Sequence, residues 1–456
     1  MTDLPAFDAL FHRGVRLMRE GDRAGAQAAF RATLELAPYL VAAHINLGLL
    51  LAPDAVTEAE HHYRTALALD PGEYQAHLHL GVLLAAQKRF KEAEHAYRQA
   101  LAIDPDAPAA WSNLGVLLAC LQREAEAEHC YRTAMALAPA YKNAPFNLAY
   151  LLLRQGRFDE GWRAFEARDW YARLAAHFDL PRWRGGPLHG KRLVIGFEGG
   201  HGDMIQFCRY AGVAKTMGAA SVTIVCHPGL KTLFTRLAGV DTVFGFDEDV
   251  PRTGWDYWTP PMSFPFVLGT RVDTIAAVFP YLHADPAKAA RCAPLIRGPL
   301  RVGLAWQGNP RFENDSDRSL ASLDLLAPLL AVDGARFFSL QKGAAPLDPA
   351  LTDLAPHIAD FDDTAALIAN LDLVISVDTA VAHLAGAMGV PCWLMLPDYR
   401  TDWRWLTERP DSPWYPGMRL FRQARSGAWP EVIDDVAVAL QVLATNPGAA
   451  LSQKPS

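Results

Sequence analysis

The sequence predicts an α-helical repeat array followed by an α/β region built from two parallel-sheet domains. Two observations predict this: a self-similarity of period near 34 in the first part of the chain and, past residue 180, short apolar runs alternating with helical patterns. The length of 456 residues is a third, since at about 100–200 residues per domain it holds two to four cores.

Two registers carry the repeat. Gly14, Gly48, Gly81 and Gly115 form one, and Phe30, Tyr63, Tyr97 and Tyr131 the other, every step being 33 or 34 residues. A small residue stands four before each aromatic (Ala26, Ala59, Ala93, Ala127), and a proline that ends a helix closes each unit (Pro38, Pro71, Pro105, Pro139). This closely resembles the tetratricopeptide repeat, whose two helices pack a small residue against an aromatic. Four units run from about residue 7 to 141. A fifth, opening at Asn147, has Ala149 in the glycine position and lacks the proline, so it reads as a cap. The expected solenoid spans 1–180. Stacked pairs of this kind imply a groove for an extended peptide, with Asn113 and Asn147, 34 apart on the inner helix, as candidate backbone contacts. Trp111, Phe146 and the tyrosines read as core.

After a Pro/Gly-rich linker, PRWRGGPLHGK, strands are expected at 192–197, 221–226 and 240–246, with helices from about Asp203 and near 230–237. A second series opens at RVGLAW (301–306) and runs through ARFFSLQ, the helix DTAALIANL, the strand DLVISVD (372–378), the helix TAVAHLAGAMG and the strand at 391–396. A last amphipathic helix covers 430–444. The expected domains are therefore 181–295 and 296–446, followed by a disordered tail at 447–456.

Composition excludes several classes. Lys+Arg 43 against Asp+Glu 50 gives net -7, shared between the halves as 18 against 22 up to residue 180 and 25 against 28 beyond it. Neither half has the basic footprint of a nucleic-acid or anionic-membrane binder. Cys120, Cys130, Cys208, Cys226, Cys292 and Cys392 are widely spaced without CxxC, and read as buried free thiols of a reducing compartment. With no signal-peptide pattern and no long apolar run, a cytoplasmic protein without a transmembrane segment is expected.

Ligands of doubly wound sheets bind at the carboxyl ends of strands, so the strand-to-helix loops are the candidates. In EGGHGDMIQF (198–207), Gly199, Gly200 and Gly202 allow a sharp turn and close backbone approach. Asp203 then opens a helix, as a reactive carboxylate or as a plain cap. Ile205 replaces the third glycine of a dinucleotide fingerprint, and strand two ends in Cys226 and His227 rather than an acid, which argues against NAD or FAD. The loop WQGNPRFENDSDRS (306–319) gathers Trp306, Gly308, Asn309, Arg311, Asn314, Asp315, Asp317 and Arg318, more polarity than a bland turn needs. In SVDTAVAHLAGAMG (376–389), a buried strand ends at Asp378, and Thr379, Ala380 and Val381 start a helix whose free N–H groups suit a diphosphate. His383 lies one turn on, as packing or contact. Asp247-Glu248-Asp249 reads as a solvated acidic turn rather than a metal motif, and Trp403, Trp405, Trp414 and Tyr415 mostly as packing.

From about Leu188 to Ala444 the chain resembles the family nine, heptosyltransferase-like glycosyltransferases, which have the GT-B fold of two facing Rossmann-like domains. The matching pieces are Gly202-Asp203 after the first strand and Asp378-Thr379 with His383-Leu384. Together with WQGNPRFENDSDRS, SLQKG (339–343), DWRWL and SPWYP, they are similar to bacterial proteins that join tetratricopeptide repeats to such a domain. The resemblance implies a glycosyltransferase with Asp203 as base on the acceptor side, beside Gly200, His201, Gly202 and Gln206. It implies a nucleotide-sugar donor whose sugar and diphosphate lie at Asp378 and Thr379 with His383; the helix start Ala380 and Val381 and the loop residues Trp306, Gly308, Asn309, Arg318 and Lys342 are further candidates for the donor site. Inverting transfer without a metal or other cofactor, onto a protein recruited by the repeats, is expected. The alternative is a scaffold whose transferase-like domain is silent. Ala380, where heptosyltransferases often have glycine, leaves the sugar open.

Overall fold

The structure is a computed structural model that describes residues 6–275, 279–312, 314–343 and 348–446. The tail expected at 447–456 lies outside the described residues. The chain divides into two compact units, Met1–Leu151 and Leu152–Ser456.

The first unit stacks four helix pairs: Ala6–Glu20 with Arg23–Leu36, Val41–Leu51 with Val56–Leu69, Tyr74–Ala86 with Phe90–Ile103, and Pro108–Cys120 with Glu124–Leu137. Each second helix ends two residues before the proline that predicted its stop. The glycine and aromatic registers are one contact repeated four times. A Cβ at Gly14 would lie 2.7 Å from the Phe30 ring, and at Gly48, Gly81 or Gly115 2.6 Å from the ring of Tyr63, Tyr97 or Tyr131. Only glycine lets the paired helices close this far. Ala26, Ala59, Ala93 and Ala127 are wholly buried beside them. Between pairs, Arg89 reaches back to Glu60 at 2.7 Å and Arg123 to Glu94 at 2.8 Å. Such solvent-exposed pairs contribute little, so burial rather than charge holds the stack.

The second unit contains two sheets, all of whose strands run parallel. The first has β1 Arg192–Ile195, β2 Ser221–Cys226, β3 Thr242–Gly245 and β4 Tyr257–Thr259, in the order β3-β2-β1-β4. The second has β5 Leu300–Ala305, β6 Ala335–Ser339, β7 Leu351–Asp353, β8 Leu373–Val377, β9 Cys392–Leu396 and β10 Met418–Arg422, in the order β10-β9-β8-β5-β6-β7. The α plus α/β class with a GT-B-like pair of lobes is what the sequence predicted. In each sheet the winding direction reverses once, between β1 and β4 and between β5 and β8, and crevices open at the carboxyl ends of such neighbours.

Residues 152–180, assigned to the solenoid from sequence, fall in the second unit. Aromatic packing explains the difference: Phe158 stacks on Trp414, Trp162 meets Trp403 edge-on at 5.1 Å, and Trp162 Nε1 donates to the Thr270 carbonyl at 3.0 Å. The closing helix, Trp429–Thr445, buries Val432, Ile433, Val436 and Leu440 in the core of the second sheet. Among the described residues no helix is long and apolar enough to cross a membrane. All six cysteines are free; Cys120 and Cys292 are half-buried rather than buried.

Candidate functional site

The loop after β1 turns at Gly199, whose φ of +69° belongs to the left-handed region that favours glycine. That turn lets Asp203 Oδ2 accept from the Gly200 N–H at 2.7 Å, so Asp203 caps the helix His201–Phe207. Its other oxygen accepts from Arg404 Nη2, an arginine of the second lobe. Arg404 is buried, donates to both oxygens of Asp402 at 3.0 Å and to Gln206 Oε1, and lies 4.4 Å over the Trp403 ring.

The loop after β8 meets this turn. Asp378 accepts from Trp405 Nε1 at 2.9 Å, and its other oxygen lies 3.8 Å from His383 Nε2. Burial, reinforced by the charge of Asp402, raises the Asp378 carboxyl to about 6, against the pull of Arg318 and Arg404. His383 is buried, bonds Tyr415 Oη through Nδ1 at 2.8 Å, and is pushed well below the ordinary histidine range by burial and by Arg404, Arg209 and Arg318. The imidazole is therefore neutral. Thr379 precedes the helix Ala380–Ala387 without capping it; its hydroxyl bonds Ser376 Oγ at 2.9 Å instead. The first N–H groups of that helix have no partner within it. Thr379, Ala380 and Val381 are half-buried.

Other expected residues are placed differently. Trp306 is 3% exposed and sits in the core of the second sheet, because it continues the inward face of Val302 and Leu304; it is not a ligand-facing residue. Gln206, expected on the acceptor side, is wholly buried and accepts from Arg404. His201 is stacked between His227 at 4.3 Å and Phe361 at 5.0 Å, and burial followed by the His227 charge lowers it to about 4. Asn309 accepts from the Arg311 N–H in a local turn, and Lys342 donates to the Ala359 carbonyl; neither is bonded to the cluster around Asp378. Gly308 N–H donates to Ser319 Oγ at 2.8 Å, and Arg318 Nε to Asp315 at 3.2 Å. In the acidic turn, Glu248 pairs with Lys231. Asn147 donates to Ser112 Oγ at 3.2 Å and Asn113 is half-buried, so Asn147 is partly committed within the stack.

Just beyond the carboxyl ends of β1 and β4 lies a buried ion-pair cluster. Arg168 donates through Nε to Glu198 Oε1 at 2.7 Å, through Nη2 to Ser263 Oγ at 2.7 Å, and through Nη1 to Glu166 at 2.7 Å. Both Arg168 and Glu198 side chains are fully buried.

Sequence reasoning missed Arg404 as a partner of Asp203. It assigned Trp405 and Tyr415 to packing, where they also bond Asp378 and His383. The one available signal was the position of DWRWL inside the family resemblance.

Comparison with known proteins agrees with the two-part reading. Residues 56–108 and 89–128 match the tetratricopeptide repeat, and 339–393 match glycosyltransferase family 9 (heptosyltransferase). The family 9 segment includes Asp378 through His383 and excludes Asp203 and Arg404. The chain is 30% identical over 332 residues to Protein FlbA of Caulobacter vibrioides, which covers 65% of this chain and 55% of that protein. It thus spans about half the length of this curated relative. Among solved structures, it is similar to Pseudomonas aeruginosa pilF (23% identity, 35% of this chain and 75% of that one, TM-score 0.33) and to a thermophilic tetratricopeptide repeat protein of Thermus thermophilus (23%, 38% and 96%, TM-score 0.33). Two separate parts of the chain are thus similar to known families, 56–128 to the tetratricopeptide repeat and 339–393 to part of glycosyltransferase family 9.

Proposed function

We propose that this chain is a glycosyltransferase that moves a sugar from a nucleotide-sugar donor to an acceptor recruited by its repeats, with inversion and without a metal. One observation carries the reading: the Asp203 turn and the Asp378 turn, borne on different sheets, meet, with Gly202 so close to His383 that a Cβ there would lie 2.8 Å from the ring. A base and a leaving-group site on opposite sides of one seam are what direct displacement requires.

In this scheme the acceptor hydroxyl oxygen attacks the anomeric carbon and its proton passes to Asp203. The bond from carbon to the diphosphate oxygen breaks, and the electron pair leaves with the diphosphate. The open N-terminus at Thr379 to Val381 receives that charge, with Arg318 adding a cation beside it and Lys342 available from the neighbouring loop. The neutral His383, held by Tyr415, packs under the donor site without adding charge. A protein acceptor is the reading that peptide-binding repeats favour. Asn113 and Asn147 are our candidates for holding the peptide that carries it.

The scaffold reading also has an observation in its favour, since both oxygens of Asp203 are engaged, by Gly200 and by Arg404. A thermal-shift panel of UDP-, GDP-, ADP- and CMP-sugars, with Asp378→Ala as control, separates the two. Stabilisation by one nucleotide class that the control loses supports the transferase. No shift with any donor at millimolar concentration overturns it and leaves the scaffold. Asp203→Asn should then retain the donor shift and lose turnover.

A further inference from the structure

The residues that reach the two acids singled out above are consecutive in sequence. Arg404 binds Asp203 from across the seam, and Trp405 binds Asp378 within its own lobe. The short helix Trp403–Trp405 that carries them is itself fixed: Asp402 accepts from the Arg404 N–H at 3.0 Å and from Arg404 Nη1 at 3.0 Å, and Trp403 is wholly buried.

We propose that Arg404 is the positioning residue for Asp203, supplied by the donor lobe to the acceptor lobe. This rests on the reading of Asp203 as the base. The geometry is specific in three ways. The guanidinium is a planar fork with donors in fixed directions. Here Nη1 is bound by Asp402 of its own segment, while Nε and Nη2 face Gln206 and Asp203, one turn apart on one helix. Its plane lies over Trp403 at 4.4 Å and faces Phe207 at 5.7 Å, which removes rotational freedom. Asp203 is in turn held at its second oxygen by the Gly200 N–H, so the carboxylate is fixed at two points. Each oxygen of an ionised carboxylate has a further lone pair, so two contacts orient Asp203 without exhausting it. The consequence is that Asp203 is fixed at both oxygens only when the lobes are together. A lobe that swings away takes Arg404 with it and leaves Asp203 held by its cap alone.

The test needs no substrate in its first arm. Hydrogen–deuterium exchange of the full chain reads the Gly200 amide, whose partner is Asp203. Arg404→Met should speed that exchange by about tenfold, as expected for a local hydrogen bond losing its support. Arg404→Lys, which keeps a cation at one contact, should restore part of the protection. In an Asp203→Ala background, Arg404→Met should add nothing, since both act on one group. Unchanged exchange at Gly200 in a folded Arg404→Met overturns the proposal. So does equal loss at Gly200 and across the whole seam that Arg404→Lys fails to restore, because that is a lobe clamp with no specific action on Asp203. Nucleotide release from UDP-N-acetylglucosamine, GDP-mannose, ADP-glucose and CMP-N-acetylneuraminate is the second arm. For any of these that turns over, Arg404→Met should lower kcat and leave the donor KM near wild type. If Asp203→Asn keeps full turnover, the reading of the base fails while the exchange result still stands on its own. If Asp203→Asn is inactive but Arg404→Met turns over normally, the base stands and the positioning role is wrong.

Discussion

Gly202 lies against His383: a Cβ at 202 would come within 2.8 Å of Cδ2 of a ring that Tyr415 holds at 2.8 Å. The ring is buried and cannot swing aside without breaking that bond. Gly202→Ala should gain about 1 kcal/mol from helix propensity and lose about 1–3 kcal/mol to overpacking. The net expectation is a destabilised seam and a weaker donor shift, read by chemical denaturation and by the nucleotide-sugar panel. A fully stable variant with unchanged donor response would show that the two turns do not need this contact.

The same arithmetic applies within the repeats, where the added methyl would meet a tyrosine ring. Gly81→Ala places a Cβ 2.6 Å from Tyr97, which is 3% exposed. It should destabilise the first unit by about 1–3 kcal/mol less the helix gain. A change at the open position Gly21 is the comparison for space, though its φ of +83° adds backbone strain of its own. Urea unfolding followed by circular dichroism measures both.

The repeat was legible because its two registers are the two sides of one contact, so the pattern in sequence is the packing itself. The buried strands were legible for a similar reason: β2, β8 and β9 are covered on both faces and read as continuous apolar runs. β4 and β7 were missed because three residues carry no periodicity, and β10 because its Arg419 and Arg422 interrupt the run. The unit boundary was misplaced because residues 152–165 keep the look of a repeat, while the partners of Phe158 and Trp162 stand some 250 residues further on. Trp306 was misread from the polar loop it opens, although the alternation of Val302, Leu304 and Trp306 already placed it inside. Arg404 lies in a run of aromatics, and its role depends on a partner in the other lobe that no local pattern announces.

The Arg168 cluster gives a prediction independent of catalysis. Arg168 and Glu198 are both fully buried, and burial pushes the Glu198 carboxyl up even beside its cation. Removing the cation leaves two acids, Glu198 and Glu166, without their shared partner. Arg168→Met should destabilise the second unit by about 3–5 kcal/mol at neutral pH, since a broken buried pair leaves an uncompensated charge. Arg168→Met with Glu198→Gln should recover part of that loss. A denaturation series over the single and double variants checks both; an additive series would mean the pair is not coupled.

Asp378 and His383, neighbours at the seam, are shifted in opposite directions, the acid up and the imidazole down. The folded Asp378 carboxyl titrates at about 6, above its ordinary value of 3.8, so the folded state binds a proton that the unfolded chain has already released. Its contribution is fully present below about pH 4 and is lost as pH rises toward 6, by roughly 3 kcal/mol for a shift of this size. His383 has the reverse sign: its folded value is depressed, so stability is present above the ordinary histidine range and is lost as pH falls below it. The two slopes oppose each other in wild type and flatten the net profile. Asp378→Asn, whose side-chain oxygen still accepts from Trp405, removes only the first. The variant should therefore gain stability relative to wild type between pH 4 and pH 6.5 as pH rises, and its own profile should steepen toward acid. Paired thermal melts across that range test it, and a constant difference between the two proteins would mean that Asp378 is ionised throughout.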